Sequence, residues 1–327
     1  MLMHPVVMDE LFRPDHLDRI KRVCQLVSET PFRDADEIFP ELDRIEVLIT
    51  SWGCPRIDED LVDHAPRLKF VAHLAGSVKG FIDDGVWRRG VRVANAVAAN
   101  AVPVAEYTMA AITFANKQVL QLRSFYREVQ ENRAPWVNEA PNVGNYNKTV
   151  GIIGASHVGR LVLQLLQAYD LRALVYDPYV SAVEARELGA SKVGLTELLS
   201  QSDVISLHAP LLPDTRHLLG GRELALIRDG ATLINTARGA IIDADALLNE
   251  LQRGRLFAFL DTTDPEVLPR GHPLYTLPNV FLTPHITGSM GDETQRLTDY
   301  IVSELERYQR GLPLKYQVRR EDLARLA

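Results

Sequence analysis

Short apolar runs that alternate with amphipathic segments determine the architecture of this 327-residue chain from residue 149 onward. The segments between the runs, such as residues 157–169 and 243–253, carry the apolar spacing of helices. Strands joined by helical crossovers are parallel, so this series predicts a doubly wound α/β sheet. The predicted strands cover residues 149–153, 172–176, 191–193, 203–207, 231–235, 256–260 and 280–282.

The first hundred residues carry a weaker form of the same pattern. A helix is predicted over residues 57–64, and the last helix over 292–310. Pro103 predicts the start of one long helix over 104–133, because proline suits a first helical turn. At roughly 100–200 residues per domain the length indicates two or three domains. Two are expected, each built on a Rossmann-like parallel sheet. Strands are predicted at 46–50, 68–72 and 91–94, with weaker candidates at 5–8 and 23–27.

Composition and charge narrow the choice of partners. The chain is 46 % apolar and 24 % charged, with a formal net charge of −7. This balance lacks the basic surface that nucleic acid or an anionic membrane requires, so neither partner is expected. The sequence shows neither a leader-like segment nor an apolar run long enough to cross a membrane, so we expect a soluble protein. Its two cysteines, Cys24 and Cys54, are expected as free thiols, which suits the cytoplasm. No residues have metal-ligand spacing, so no metal is expected.

A glycine-rich turn joins the first strand of the regular series to the next helix. The segment Gly151–Gly159 reads GIIGASHVG, close to the G-x-G-x-x-G fingerprint of dinucleotide-binding turns. The glycines allow a tight turn and a close helix–strand approach, and the helix amino terminus favours a pyrophosphate. Serine replaces the second glycine, where its hydroxyl either crowds or bonds a phosphate. The alternative is a tight turn with nothing bound. The predicted phosphate site comprises Gly154, Ser156, His157, Val158 and Gly159.

An acidic residue ends the second strand of the series. Asp177 lies 23 residues after Gly154, in Val175-Tyr176-Asp177-Pro178. A carboxylate at this place accepts hydrogen bonds from both adenosine ribose hydroxyls and repels a 2′-phosphate. The loop and Asp177 together predict a site for NAD rather than NADP, against the alternative of a simple strand-end aspartate.

Three later strand ends carry groups suited to acid–base chemistry. Arg238 follows the strand at 231–235, Glu266 follows the strand at 256–260, and His285 follows Val280–Leu282. An arginine binds a carboxylate, and a histidine exchanges protons near neutrality because its ordinary pKa is about 6.5. Each residue alone also fits a structural role. Together they suit reduction of a 2-keto acid, with His285 as acid and base, Glu266 orienting the ring, and Arg238 binding the substrate carboxylate and carbonyl.

Four motifs make the chain resemble the D-isomer-specific 2-hydroxyacid dehydrogenases over nearly its whole length. They are the Gly151–Gly159 turn, the segment 206–215 (SLHAPLLPDT), the segment 233–239 (LINTARG), and 261–266 with Pro284-His285. The resemblance implies the same catalytic residues, and implies that Asp261 holds the nicotinamide carboxamide. Further cofactor contacts are implied for Thr108, His208, Ala209, Pro210, Thr215, Thr236, Ala237 and Gly288. Thr108 and Asp261 also have structural alternatives, as a hydroxyl bonded within its own helix and a strand cap.

The resemblance also implies how the chain is divided. Residues 1–102 and 288–327 are expected to form a discontinuous substrate domain, and 103–287 the NAD-binding domain. Closure about the two crossings is expected to exclude water, and the long helix after Pro103 is expected in a homodimer interface. A backbone nest at Gly76–Val78 would bind the substrate carboxylate, unless it is an ordinary glycine turn. The predicted substrate-binding residues are Trp52, Gly76, Ser77, Val78 and Asn100.

Two other functions fit parts of the pattern. The first is an NAD(H)-sensing binding protein of the same fold, like the C-terminal-binding corepressors. Such a protein would retain Arg238, Glu266 and His285 but show little turnover. The second is a formate dehydrogenase, which is disfavoured because the pocket of that subfamily uses a Gln beside the catalytic His. In this sequence His285 is followed by Ile286-Thr287-Gly288, with no Gln. The sequence leaves glyoxylate, hydroxypyruvate, phosphohydroxypyruvate and larger keto acids open as substrates. The departures from the family pattern, at Ser156 and at Thr262-Thr263, remove no catalytic group.

Overall fold

A computed structural model describes residues 1–130 and 142–325. The chain divides into two compact units. Unit 1 comprises Met1–Ala101 and Ser289–Ala327, and unit 2 comprises Val102–Gly288. In the described ranges no helix is long and apolar enough to cross a membrane.

Unit 2 is built on a parallel sheet of seven strands. The strands are β4 Thr149–Ile153, β5 Arg172–Tyr176, β6 Ser191–Lys192, β7 Val204–Leu207, β8 Thr232–Asn235, β9 Phe257–Leu260 and β10 Val280–Leu282. Their order in the sheet is β10-β9-β8-β7-β4-β5-β6. The order reverses at β4, which leaves the carboxyl ends of β4 and its neighbours free to bind a ligand. The helices are α6 Val97–Asn116, which begins in unit 1, α7 Val119–Val129, α8 His157–Leu166, α9 Ala182–Glu187, α10 Leu195–Gln201, α11 Gly221–Leu226 and α12 Ala244–Gln252.

Both faces of this sheet are buried, as short apolar strands between helices require. Val150 and Ile152 of β4 belong to one apolar cluster, which includes residues of α6 and α8. Ile153 of the same strand belongs to a second cluster with residues of α10 and α12. Because alternate side chains of a strand point to opposite faces, β4 has helices packed on both sides.

Unit 1 has a smaller sheet in the order β1-β2-β3-β11. Strands β1 to β3 are parallel, and β11 joins β3 in antiparallel orientation. The strands are β1 Val47–Thr50, β2 Phe70–His73, β3 Arg92–Asn95 and β11 Gln317–Val318. The helices are α1 Pro5–Leu11, α2 Pro14–Val23, α3 Ala35–Ile38, α4 Glu59–Asp63, α5 Asp84–Arg88 and α13 Thr294–Gln309. The predicted α/β class with parallel sheets is confirmed.

The prediction of one helix over 104–133 is wrong. Helix α6 begins at Val97, because the alanine-rich segment before Pro103 continues the helix and the proline forfeits only the hydrogen bond of its own N–H. The helix ends at Asn116, and Gln118 takes a left-handed conformation with φ 50° before α7 begins. The Asn116 carbonyl accepts instead from the N–H of Gly144, at 2.8 Å. Residues 131–133 lie outside the described residues.

The two weaker strand candidates are also wrong. Residues 5–8 lie in α1, which Pro5 starts and the His4 side chain caps through the N–H of Val6. Val23 ends α2, and residues 24–27 form no strand. Apolar runs this short have no periodicity long enough to distinguish helix from strand. In residues 5–8 the helix is favoured because Pro5 suits a first helical turn.

Candidate active site

The turn after β4 depends on a residue without a side chain. Gly154 has φ +93°, and a Cβ at this position would lie 2.5 Å from the backbone nitrogen of Ala209. Its N–H donates to the carbonyl of Tyr176 at 2.9 Å. The glycine therefore lets the turn pack directly against the backbone that follows β7.

The start of α8 packs equally tightly. A Cβ on Gly159 would lie 2.1 Å from the carbonyl oxygen of Gly154. Ser156 is the N-cap of α8, and its Oγ accepts from the N–H of Gly159 at 3.4 Å. The serine that replaces the second glycine thus satisfies one helix N–H, while His157 and Val158 lie in the first helical turn, where a bound anion is favoured.

Asp177 links the second strand to this turn. Its Oδ2 accepts from the N–H of Ala155 at 2.8 Å, and its Oδ1 accepts from the N–H of Tyr179 at 2.7 Å. A carboxylate has about four lone-pair positions, so the half-buried Asp177 retains acceptor capacity at the carboxyl end of β5.

The segment after β7 carries a buried, neutral histidine. His208 Nε2 lies 2.9 Å from Ser206 Oγ, and burial lowers the pKa of His208 to about 3. The backbone N–H of His208 donates to the Ile153 carbonyl at 2.7 Å. This bond joins the segment after β7 to the glycine-rich turn after β4, called the nucleotide turn below. Thr215 Oγ1 donates to the Pro210 carbonyl at 2.5 Å and fixes the fold of 210–215. Ala209 is the residue against which Gly154 packs.

Arg238, Glu266 and His285 follow β8, β9 and β10, which are neighbours in the sheet. His285 Nδ1 lies 2.6 Å from Glu266 Oε1, and the two side chains are 45 % and 52 % exposed. The Arg238 guanidinium is exposed and donates through Nη1 to the Ala237 carbonyl at 2.7 Å. The structure therefore places His285, the predicted acid and base, in direct contact with Glu266, and Arg238 follows the adjoining strand.

A buried carboxylate holds the segment that carries His285. Asp261 Oδ1 accepts from Thr283 Oγ1 at 2.6 Å and from the N–H of Ile286 at 2.8 Å. Its Oδ2 accepts from the N–H of Thr287 at 3.0 Å and from Thr287 Oγ1 at 2.6 Å. The Asp261 carbonyl accepts from the N–H of His285 at 2.9 Å. Asp261 thus fixes residues 283–287 around His285; the cofactor contact implied by the resemblance stays a prediction.

Tyr107 extends this network from α6. Its hydroxyl lies 3.1 Å from Thr283 Oγ1. Because the Thr283 hydroxyl donates its hydrogen to Asp261, Tyr107 is the donor in this contact. Burial raises the pKa of Tyr107, so the phenol keeps this hydrogen. The sequence alone predicts no role for Tyr107, Thr283 or Thr287. Thr283 and Thr287 lie two residues either side of His285, whereas no local pattern indicates Tyr107.

Backbone packing brings the Glu266 loop to the Arg238 loop. A Cβ on Gly239 would lie 2.0 Å from the carbonyl carbon of Thr263, so only glycine fits there. Thr263 Oγ1 donates to the carbonyls of Pro265 and Glu266, at 2.8 and 3.0 Å. Thr263 thereby shapes the turn that presents Glu266, a role that its position in the sequence does not predict.

Thr108 lies against the loop after β8. It is fully buried and donates to the Val104 carbonyl at 2.7 Å, as the structural alternative expected. The same hydroxyl lies 3.3 Å from Thr236 Oγ1. The N–H of Ala237 donates to Asn235 Oδ1 at 3.0 Å, which fixes the turn before Arg238. Gly288 is the last residue of unit 2.

The predicted substrate residues all belong to unit 1. Trp52 follows β1 and is 41 % exposed, while Gly76, Ser77 and Val78 follow β2, with Val78 buried. Asn100 Oδ1 accepts from the N–H of Ser289 at 2.9 Å, which joins the two places where the chain leaves and re-enters unit 1. These residues therefore lie at the carboxyl ends of the unit 1 strands or at its chain crossings.

The geometry of unit 2 defines a dinucleotide-binding α/β unit with a histidine–carboxylate pair at its strand ends. The profile of the D-isomer specific 2-hydroxyacid dehydrogenase NAD binding domain matches residues 112–287, more than half of the chain. The chain therefore belongs to the D-isomer specific 2-hydroxyacid dehydrogenase family, and the expectations of this family and of NAD are confirmed. The close backbone packing at Gly154 and Gly159, the amino terminus of α8 and the carboxylate of Asp177 fit this cofactor.

Three known proteins illustrate the similarity. A glyoxylate reductase from Aeropyrum pernix is 34 % identical over 275 residues, which cover 83 % of this chain and 81 % of that protein. A D-3-phosphoglycerate dehydrogenase from Methanocaldococcus jannaschii is 30 % identical over 295 residues, covering 89 % of this chain and 55 % of that protein. The chain thus spans about half the length of this dehydrogenase. The crystal structure of a phosphoglycerate oxidoreductase from Rhizobium etli shares the fold, with a TM-score of 0.82, 21 % identity, and coverage of 97 % and 98 %.

Proposed function

We propose that this protein is an NAD-dependent oxidoreductase that interconverts a small 2-keto acid and a D-2-hydroxy acid. The observation that carries the proposal is the 2.6 Å contact between His285 and Glu266, beside the Arg238 strand end of the NAD-binding unit. The A. pernix relative, a glyoxylate reductase of similar length, supports a compact keto acid.

His285 would be the general acid and base. A carboxylate only accepts hydrogen bonds, so Glu266 requires a hydrogen on His285 Nδ1. The other ring nitrogen, Nε2, then carries the exchangeable proton. For reduction, bound NADH would supply the hydride, and His285 Nε2 would donate its proton to the carbonyl oxygen of the substrate. In oxidation the same nitrogen accepts the hydroxyl proton.

Arg238 would bind the substrate. In the part of the chain that the structure describes, no carboxylate lies within ion-pair distance of its guanidinium. A guanidinium binds a carboxylate through two parallel hydrogen bonds, and it also stabilises charge that develops on the adjacent carbonyl oxygen. Trp52, Gly76–Val78 and Asn100 are proposed to complete substrate recognition from unit 1.

The test is a panel of 2-keto acids with NADH and NADPH in parallel. We expect turnover with NADH on a compact acid, and weaker turnover with NADPH because Asp177 repels a 2′-phosphate. Lack of turnover on every acid, with NADH still bound, would contradict the proposal and favour an NAD(H)-sensing protein. Better turnover with NADPH would contradict the role of Asp177.

Substitution of the proposed acid–base residue is the sharper test. His285→Ala is expected to lower kcat by about a thousandfold, because the proton donor is lost, while NADH affinity stays near that of the wild type. The exposed His64 in unit 1 offers a matched control, and His64→Ala should leave both quantities unchanged. An equal loss of turnover and NADH binding in His285→Ala would show that the residue is structural.

We further propose a cytoplasmic homodimer. Both cysteines are free thiols, which suits a reducing compartment. Phe114 on α6, Tyr126 on α7 and Leu165 on α8 expose 49 %, 58 % and 43 % of their surface, as an apolar subunit interface would require. Light scattering should give twice the chain mass, and Phe114→Glu should lower it.

A further inference from the structure

Unit 1 contains a cavity at the edge of its sheet opposite to the predicted substrate residues. The cavity measures about 830 Å³, within the range of small-molecule sites. Its lining includes Arg44 and Glu46 before β1, Arg67 before β2, and Arg92 at the start of β3. Because β1 to β3 are parallel, these residues share the amino-terminal edge, whereas Trp52 follows the carboxyl end of β1.

Arg92 is held in place by aromatic stacking. Its guanidinium carbon lies 4.4 Å from the centroid of the Tyr308 ring, and the Tyr308 ring stacks on Phe70 at 5.0 Å. Stacking restrains a guanidinium while leaving its N–H groups free to donate in the ring plane. Arg92 therefore presents a positioned set of donors to the cavity.

The positive charge of this cavity is only partly neutralised. Glu46 accepts from Lys69 Nζ at 3.2 Å and from the Tyr308 hydroxyl at 3.1 Å, and Arg44 pairs with Glu41. Neither Arg67 nor Arg92 lies within ion-pair distance of a carboxylate in residues 1–130 and 142–325. The hydrogen bonds from Lys69 and Tyr308, and the nearby charge of Arg67, lower the pKa of Glu46, so Glu46 offsets part of the Arg67 charge. Both arginines lie on the same edge, in a chain whose net charge is −7.

Apolar residues make up much of the remaining lining. They include Leu26, Phe32, Val47 and Ile49, and the half-buried Cys24 and the polar Gln25 and Gln309 lie among them. A cavity of this kind offers hydrophobic contact to the body of a ligand and a few polar groups that fix its orientation.

We infer that this cavity is a second binding site, separate from the proposed active site, for a small organic anion with an apolar body. Arg67 and Arg92 would bind the anionic group, a carboxylate or a phosphate, and the apolar lining would hold the body. The cavity lies wholly in unit 1, whereas His285, Glu266 and Arg238 lie in unit 2.

The first experiment is calorimetric titration of the full chain with phenyl phosphate and with phenylacetate, each at up to about 10 mM. The two probes distinguish a phosphate site from a carboxylate site. Arg67→Gln is expected to weaken binding by about 10-fold, and Arg67→Gln/Arg92→Gln by about 100-fold, because each loses charge-assisted hydrogen bonds. The matched control Arg88→Gln, an exposed arginine paired with Glu59, should bind as the wild type does.

Arg238→Gln separates this site from the proposed active site. We expect it to bind both probes as the wild type does, while Arg67→Gln/Arg92→Gln keeps its reduction of keto acids. Failure of the proposed function would therefore leave this inference standing. Loss of binding in Arg238→Gln, equal affinity in wild type and the double variant, or no heat with either probe would each overturn it.

Cys24 gives a local readout that does not depend on an arginine variant. In a Cys54→Ser background, Cys24 is the remaining thiol. A probe seated in the cavity should slow its alkylation by N-ethylmaleimide at least 5-fold at about ten times Kd, since access follows the unoccupied fraction. An unchanged rate at saturating probe would place the bound anion elsewhere and overturn the inference.

Discussion

Asp261 is a residue whose substitution separates positioning from catalysis. Its carboxylate accepts four hydrogen bonds from residues 283–287. Asp261→Asn replaces one acceptor oxygen with a donor that faces donors, so we expect about 2–3 kcal/mol lower stability. Because the His285 segment loses its anchor, kcat should also fall more than NADH affinity. Urea unfolding and steady-state kinetics measure both effects.

The neighbouring Thr262 is a matched control for this change. Its side chain is 2 % exposed, and its Oγ1 has no hydrogen-bond partner in the described ranges. Thr262→Val keeps the shape and removes the unpaired hydroxyl, so stability should stay equal or rise. If both variants lost stability alike, tight packing at this strand end rather than the hydrogen bonds of Asp261 would be responsible.

At the residue scale, the sequence predicts positions better than contacts. Arg238, Glu266 and His285 each follow an apolar strand, and parallel strands place such residues on one edge, so their grouping could be inferred. The bonds of Asp261 depend on how residues 283–287 close around it, and the Tyr107 contact joins residues 176 positions apart. No local pattern encodes either, because a hydroxyl in a helix has many possible partners.

At the scale of elements, the approach of α8 to the nucleotide turn yields a prediction. A Cβ on Gly159 would lie 2.1 Å from the Gly154 carbonyl oxygen, and backbone cannot yield as a flexible side chain does. Gly159→Ala should shift the start of α8, weaken NADH binding by at least about 10-fold, and cost about 1–3 kcal/mol. Fluorescence titration with NADH and urea unfolding test this.

Gly194 provides the matched glycine control. It is the N-cap of α10 with φ −72°, and a Cβ there meets nothing within 4 Å. Gly194→Ala should leave NADH affinity unchanged. Comparable losses of affinity in both variants would show that helix stability, not the fit of the turn, governs binding.

The strand series of unit 2 was predictable at this scale, whereas helix ends were less so. Seven apolar runs with helical spacing between them leave few alternatives to a doubly wound sheet. The break after Asn116 was not visible in the sequence, because Lys117 and Gln118 are good helix formers. Their preference is overridden where the N–H of Gly144 donates to the Asn116 carbonyl. Strand β11 was not visible either, because it has two residues and pairs with β3, which lies more than 200 residues earlier in the chain.

At the scale of the whole molecule, each unit contains a histidine that burial keeps neutral. His73 in unit 1 lies 2.9 Å from Thr50 Oγ1, and His208 in unit 2 lies 2.9 Å from Ser206 Oγ. Burial lowers the pKa of each to about 3. Because the unfolded histidine titrates near 6.5, the unfolded state takes up the proton first as pH falls. The contribution of these two histidines to stability is therefore fully present above about pH 6.5 and is lost progressively toward pH 3.

This linkage predicts a separate acid sensitivity in each unit. At pH 4.5, about two pH units below the unfolded value, each histidine should lower the stability of its own unit by roughly 2–3 kcal/mol relative to pH 7. His73→Asn and His208→Asn remove the titrating group, so each should flatten the pH dependence of one unit only. Hydrogen exchange with peptide-level mass spectrometry resolves the units. Thr50→Val keeps His73, so it should lower the stability of unit 1 without flattening the dependence of that stability on pH. If the stability of His73→Asn depended on pH as steeply as that of the wild type, carboxylates rather than the buried histidine would govern acid unfolding.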